Sequence, residues 1–180
     1  MSRRAQINKV DKLPVPLEAL RTMNHSNYLL LAFLIGVVCG LRAMTAPALT
    51  AWAAHLGWIN LASSPLKFMS SMITVSFFTL LAIVELVTDQ LPTTPARTKP
   101  TGLIPRILLG GLCGATITSA GSQSLGLGAV LGAVGGIVGA FAGYQARTGL
   151  VKALGVPDFV IAVLEDALAI SAGIFLLWRF

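Results

Sequence analysis

The chain is short of charge. Only 11% of its 180 residues are charged, against 55% hydrophobic, whereas an ordinary soluble domain carries roughly 25% charged residues. It is also poor in metal-binding and disulfide chemistry, with two cysteines and two histidines. Cys39 and Cys113 both lie in apolar, glycine-rich runs and read as small packing residues rather than as a bridge or a metal pair. His25 and His55 stand far apart, and no HxxxH or CxxC spacing exists, so no zinc site is visible and any other metal stays open. There is no Walker loop and no Ser/His/Asp set, and no cofactor is expected. The net charge of +6 is spread over an N-terminal tail and the gaps between apolar runs. Such placement points to topology signals and lipid headgroups, not to nucleic acid, which needs a basic patch on a folded soluble module.

What the chain has instead is a series of long apolar stretches, the mark of membrane-spanning helices. The expectation is an all-α polytopic transmembrane bundle of about five spans. A polar tail, residues 1–27, carries Arg3, Arg4, Lys9, Lys12 and Arg21 and is expected to stay in the cytoplasm, followed by a single transmembrane domain over residues 28–180. The first apolar region, Tyr28 to Trp58, would be about 46 Å long as one helix, too long for a bilayer core of roughly 30 Å. Gly40, Arg42 and Pro47 interrupt it, so it reads as a broken helix, with two half-helices as one version. Further runs follow at 68–91, 103–120, 125–144 and 158–178, and Trp58, Tyr144 and Trp178 sit at run ends as interfacial aromatics do. Five crossings from a cytoplasmic N-terminus place the basic loops with Arg97, Lys99, Arg106, Arg147 and Lys152 inside, which suits the positive-inside rule for a bacterial inner membrane.

An internal echo is present. Leu34, Gly36, Cys39, Gly40 and Ala46 recur at the spacing of Leu108, Gly110, Cys113, Gly114 and Ala120, and Ala82 to Glu85 resembles Ala162 to Glu165. Inverted repeats with broken helices are a recurrent transporter design. An odd number of crossings per half is needed, and a half-helix pair within 28–58 would supply it. Chance similarity in an apolar alphabet is the competing account.

Two sets of residues go beyond simple apolar filling. Gly128, Gly132, Gly135, Gly136, Gly139 and Gly143 fall within an arc of roughly 100° on one helix face. Glycine sacrifices helix propensity, so the row indicates a helix packed very closely there, within the chain or in a homodimer. The second set is acidic. Of seven acids, Glu85, Asp89, Asp158, Glu165 and Asp166 lie in or at the edge of apolar helices. A buried acid costs about 2.5–3.5 kcal/mol on insertion scales and must face a partner, a cavity or water. Asp89 and Asp158 lie near helix ends, where hydration suffices. Glu85, Glu165 and Asp166 are deeper, and Arg42 is their natural partner, with Glu85 or Glu165 the expected pair. Three deep acids against one arginine favour an ion- or ligand-binding site of Arg42, Glu85, Asp89, Glu165 and Asp166 over a purely structural ion pair.

The order of these features resembles an uncharacterised bacterial membrane-protein family catalogued as domain of unknown function 4126. The resembling stretches are Gly40-Leu41-Arg42 through Gly57-Trp58, Val84-Glu85-Leu86-Val87-Thr88-Asp89-Gln90-Leu91-Pro92, Arg147 with its following loop, and Leu164-Glu165-Asp166-Ala167-Leu168-Ala169. Family members often carry Asp-Lys before the Ile/Leu-Pro, and Gln90 departs from that. The resemblance implies a membrane location and singles out Glu85, Asp89, Glu165 and Asp166 without assigning an activity. Beside the lipid bilayer, the expected partner is a small ion or solute moved by a transporter- or channel-like protein. A membrane enzyme acting on a lipid phosphate, with Asp89 imitating its metal-binding acids and Arg97, Lys99 and Arg106 its phosphate-binding bases, is one alternative. A noncatalytic scaffold is the other.

Overall fold

A computed structural model describes residues 25–89 and 97–180, and every described regular element is helical. The N-terminal tail before residue 25, together with Gln90 and Pro92, lies outside the described residues. Six helices follow in order: α1 His25–Leu41, α2 Thr45–His55, α3 Met72–Thr88, α4 Pro100–Ala120, α5 Leu125–Leu154 and α6 Asp158–Leu177, with a short 3-10 turn Lys67–Ser70 before α3. Of these, α4, α5 and α6 are long and apolar enough to cross a membrane, and α1 and α3 are shorter apolar helices. An all-helical, broken-first-helix architecture is therefore what the chain adopts.

Local chemistry sets the ends. Ser71 caps α3, its hydroxyl accepting from the Thr74 amide at 3.2 Å, and Ser124 caps α5 by accepting from Leu127. Pro100 opens α4 at a position where the missing amide costs nothing. Gly155 closes α5 in the left-handed conformation, at φ +63°. The helix expected over 125–144 thus runs a further ten residues, to Leu154. Tyr144 and Arg147 are inside it, because nothing between Tyr144 and Gly155 breaks the helix.

The glycine row of α5 decides the packing. A Cβ placed on Gly132 or Gly136 would strike the backbone of α4 at Gly110 or Arg106, and one on Gly135 or Gly139 would strike that of α1 at Phe33 or Val37. Reciprocally, Gly36 and Gly40 of α1 and Gly110 and Gly114 of α4 face α5 backbone. Three helices therefore touch main chain to main chain, a mode that only small residues permit. The glycine face is filled by two helices of the same chain, the within-chain form of the close packing expected there.

The contacts also give direction. Tyr28 packs its ring against Phe180, while Gly40 and Leu41 meet Arg106 and Arg97, so α1 runs antiparallel to α4. The chain then reverses at 42–44. Trp52 of α2 bonds Thr79 of α3, and His55 bonds Ser70, so α2 returns toward the end where α1 began. The first apolar region is thus a helical hairpin rather than one kinked span. Arg42, Pro47 and the small alanines between them allow the sharp reversal, and the tip is held by charge as described below. One consequence corrects the expected topology. His25 and the 97–99 and 155–157 turns stand at opposite ends of the bundle, so the start of α1 and the basic loops do not share a side. Helices α1, α2 and α3 run in directions opposite to α4, α5 and α6 in turn, which gives each half three elements of inverted sense.

Candidate functional site

Five of the six helices bring a charged residue, or a polar main-chain group, to one end of the bundle, around the tip of the α1–α2 hairpin. A helix end leaves its last carbonyls and first amides without partners, and here two such ends face each other inside the protein. Arg106, from the second turn of α4, donates through Nε to the Gly40 carbonyl at 3.1 Å and through Nη1 to Gly102 at 2.6 Å. Arg97 donates to the Leu41 carbonyl at 3.2 Å. Cations at a helix C-terminus also meet the negative end of its dipole. On the other side of the break, Glu85 of α3 accepts from the Ala43 amide at 2.8 Å and the Met44 amide at 2.9 Å, one to each carboxylate oxygen. The reversal is therefore stapled by side chains from α3, α4 and the segment before α4.

Arg42 sits between these caps with 0% of its surface exposed. Its Nη1 donates to the Asp89 carboxylate at 3.1 Å and to the Glu85 carbonyl at 3.3 Å, and its Nη2 to the Asp166 carboxylate of α6. Two neighbouring pairs complete the cluster. Arg97 grips Glu165 with both of its terminal nitrogens, the Nη2–Oε2 bond measuring 2.8 Å. Arg147 of α5 holds Asp158 through Nε at 2.9 Å and Nη2 at 2.5 Å, and its Nη1 lies 3.7 Å from Glu165. Such forked guanidinium–carboxylate geometry is the strong form of charge-assisted hydrogen bond. Gly143, the last of the glycine row, makes the room. A Cβ there would lie 3.0 Å from Glu165 Oε1 and 3.1 Å from Arg97 Nη1.

The structure brings together all five residues singled out from the sequence, but their pairing differs from expectation. Arg42 bonds the carboxylates of Asp89 and Asp166, not those of Glu85 or Glu165. Asp89 is not a hydrated helix-end residue, with 15% of its side chain exposed, whereas Asp158 is 63% exposed. The imbalance of three acids against one arginine narrows as well. Arg97, Arg106 and Arg147 join Arg42, so four arginines face the five carboxylates of Glu85, Asp89, Asp158, Glu165 and Asp166. These three arginines were read from the sequence as loop charges. Their position next to Gly102, Gly143 and Pro105 was the only available signal, and it does not specify which way a long side chain folds.

Among the described residues, two buried side-chain atoms of this network have no hydrogen-bond partner, Arg42 Nε and Thr45 Oγ1. Away from the cluster, at the opposite end of the bundle, a cavity of about 290 Å³ is lined by Gly57, Asn60, Lys67 and Ser70 among others. Among the described residues, no three His, Cys, Asp or Glu side chains are grouped as metal ligands.

The fold and this cluster define an all-helical, strongly apolar protein of membrane type, built on an α1–α4–α5 glycine-packed core with a charged helix break at one end. Within that class, the chain belongs to the family described as domain of unknown function DUF4126, which matches residues 29–178 and so takes in every helix but the first residues of α1. No curated protein matches the chain, and no solved structure does.

Proposed function

We propose that the chain is a transporter- or channel-like protein of the bacterial inner membrane, moving an ion or small solute past the arginine–carboxylate cluster at the hairpin tip. The observation that carries this reading is the helix break itself. Two helix ends meet inside the protein, and charged side chains of α3, α4 and the segment before α4 satisfy them rather than neighbouring backbone. Transporters place their binding sites at such breaks, with half-helix ends supplying the ligands, and two halves of three elements in inverted sense accompany that design. The mutual pairing of these acids and arginines fits a gate that is shut. Ion pairs and hydrogen bonds join α3, α4 and α6 to the tip, and opening a path would exchange them for solute or water.

The end from which the path opens follows from charge. The tail arginines and lysines adjoin the α1 start, where Lys67 and Arg179 also lie. At the cluster end the basic residues are Arg97, Lys99, Arg106, Arg147 and Lys152, fewer than the tail's five together with Lys67 and Arg179. A cytoplasmic N-terminus is therefore retained, and the cluster faces the other side. The lipid-phosphate enzyme reading is weakened, because Arg97 and Arg106 are committed to Glu165, Glu85 and main-chain carbonyls. A scaffold remains the rival.

Reconstituted proteoliposomes test the proposal. Flux of protons, monovalent cations and small organic anions is followed for wild type and for Glu165→Gln. Transport by wild type that collapses in a folded variant supports the reading. No flux for any of these solutes, with the variant only less stable, favours the scaffold.

A further inference from the structure

The two ends of the bundle differ in charge. Every acid among the described residues belongs to the cluster at the hairpin tip: Glu85, Asp89, Asp158, Glu165 and Asp166. The opposite end, where α1 begins and α2 finishes, has Lys67 and Arg179 and no acid among the described residues. Lys67 is also the only Lys, Arg, Asp or Glu within residues 43–84. It forms no ion pair with a described residue. Instead it lines the cavity of about 290 Å³ at that end. The buried side chains of Ala54, Ile59 and Leu61 make the cavity floor, and the exposed Asn60 and Lys67 stand at its mouth. Asn60 Oδ1 accepts from the Ala62 amide at 3.0 Å, which leaves the side-chain NH2 group to donate. Ser70 Oγ donates to the Lys67 carbonyl at 2.7 Å and so steadies the turn that carries the lysine.

We infer that this cavity binds the phosphate group of an anionic phospholipid, with the headgroup inside and the acyl chains outside. An ammonium and a carboxamide NH2 at one mouth, with no described acid at that end, suit the oxygens of a phosphate and repel no anion. The volume is at the low end of the roughly 300–1,000 Å³ of small-molecule sites, room for a headgroup and not for acyl chains. The chains have exposed apolar surface beside it. Trp58 and Phe68, next in sequence to the lining residues Gly57 and Lys67, are 39% and 49% exposed, and Met72 and Ile73 are exposed at the start of α3. Aromatic rings next to a lysine at a helix end are how membrane proteins meet the headgroup layer. A free phosphate would use the same donors but has no use for an apolar rim, and the rim is the argument for a lipid. A zwitterionic headgroup would bring its own cation to an end that already carries Lys67 and Arg179. The site is separate from the arginine–carboxylate cluster and stands whether or not the chain transports a solute.

The test is a thermal-stability titration of the purified full chain in a non-ionic detergent with phosphatidylglycerol, phosphatidylcholine or sodium phosphate, with native mass spectrometry counting the lipid that stays bound. Phosphatidylglycerol is expected to raise Tm saturably and to leave one retained molecule, and phosphatidylcholine to do neither. Lys67→Gln is expected to keep the Tm of the lipid-free protein, because the side chain is exposed, and to weaken the apparent affinity for phosphatidylglycerol about tenfold, the value of one charge-assisted hydrogen bond. Lys67→Arg should retain most of the binding. Arg179→Gln removes a cation from the same end without touching the cavity lining, and should leave the affinity within about twofold of wild type. Equal responses to the two lipids overturn the inference, as does a Lys67→Gln that binds phosphatidylglycerol like wild type. An Arg179→Gln that loses as much as Lys67→Gln also overturns it, since attraction to the whole basic end would then replace a built site. A rise with sodium phosphate that matches phosphatidylglycerol and depends on Lys67 would overturn the lipid as the source and give the cavity to a soluble phosphate.

Discussion

Alanine at two positions of the same helix should act in opposite directions. At Gly132, a new Cβ would sit 2.9 Å from the Gly110 carbonyl carbon and 3.0 Å from Gly114 Cα, with the Gly110 oxygen nearer still. Carbon atoms prefer about 3.5–4.0 Å, so α4 has to retreat by roughly half an ångström or more. The retreat loosens the main-chain contact along its length, and overpacking of this kind costs about 1–3 kcal/mol. Alanine returns up to about 1 kcal/mol of helix propensity, which leaves a net loss of about 1–2 kcal/mol. Gly149 lies on the same helix with no atom within 4 Å of its would-be Cβ. There only the propensity term operates, and alanine should stabilise by a few tenths to about 1 kcal/mol. Reversible unfolding in mixed detergent micelles, scored by circular dichroism, compares the two. Gly132→Ala as stable as Gly149→Ala would refute the main-chain packing of α5 on α4 and α1.

The remaining predictions concern charge and direction. Arg42→Met leaves Asp89 and Asp166 buried without their cation and should cost about 3–5 kcal/mol in the same unfolding assay; pairing it with Asp166→Leu should recover part of that loss. Asp158→Asn breaks an exposed pair and should cost less than about 1 kcal/mol, with the loss shrinking in high salt, whereas Glu165→Gln should cost clearly more. Gly143→Ala pushes a methyl group toward Arg97 and Glu165, and the stability gap between wild type and Glu165→Gln should narrow in that background. For direction, a chain with Cys39 and Cys113 replaced by alanine takes His25→Cys or Ala153→Cys. An impermeant maleimide should label the two from opposite faces of the membrane, and labelling from one face would overturn the α1–α2 reversal.

How much of this could be read beforehand depends on range. Helical class, the approximate runs and the close-packing face of α5 are written in local composition and spacing, and glycine at every fourth position has few other uses. The break at 42–44 was also visible, since Gly40, Arg42 and Pro47 cannot continue an apolar span. Its angle was not. A kink and a full reversal use the same residues, and the choice is made by partners far along the chain: Glu85 forty-two positions on from Ala43, and Arg106 sixty-six from Gly40. The same limit hid Arg97, Arg106 and Arg147. An arginine beside a helix end has the same local pattern whether it reaches out to lipid headgroups or folds inward onto a carboxylate.

The echo between the two halves was legible in part, and the part that fails is informative. Direction obeys it, three helices against three in inverted sense. Position does not, for Glu85 sits in the last turns of α3 while Glu165 sits in the first half of α6, which puts both at one end of the bundle. A symmetric pair of gates would place one acid at each end. Instead the opposite end has the cavity beside Lys67 and Asn60, and small or hydroxyl residues such as Thr50, Cys113 and Thr118 are buried in the interior. The packing is likewise uneven. Helices α1, α4 and α5 touch through their backbones, whereas α3 meets little besides α2 and the turn before it, and α6 touches the core mainly through side chains. Backbone contact resists sliding, because a displacement of an ångström brings main-chain atoms into collision, but ion pairs and side-chain contacts can be remade. Motion is therefore expected at the seam between the glycine core and the α2–α3–α6 layer. Arg42 lies on that seam, its guanidinium fastened to Asp89 and Asp166 of the layer while its backbone continues α1. A spin-label pair placed on Val130 of α5 and Ile73 of α3 would read such motion as a change in distance when Arg42 is replaced by Met. A pair on Val130 and Leu108, both within the glycine core, should keep its distance in the same variant. Equal shifts in both pairs would mean that the bundle loosens as a whole, and the seam would have no special role.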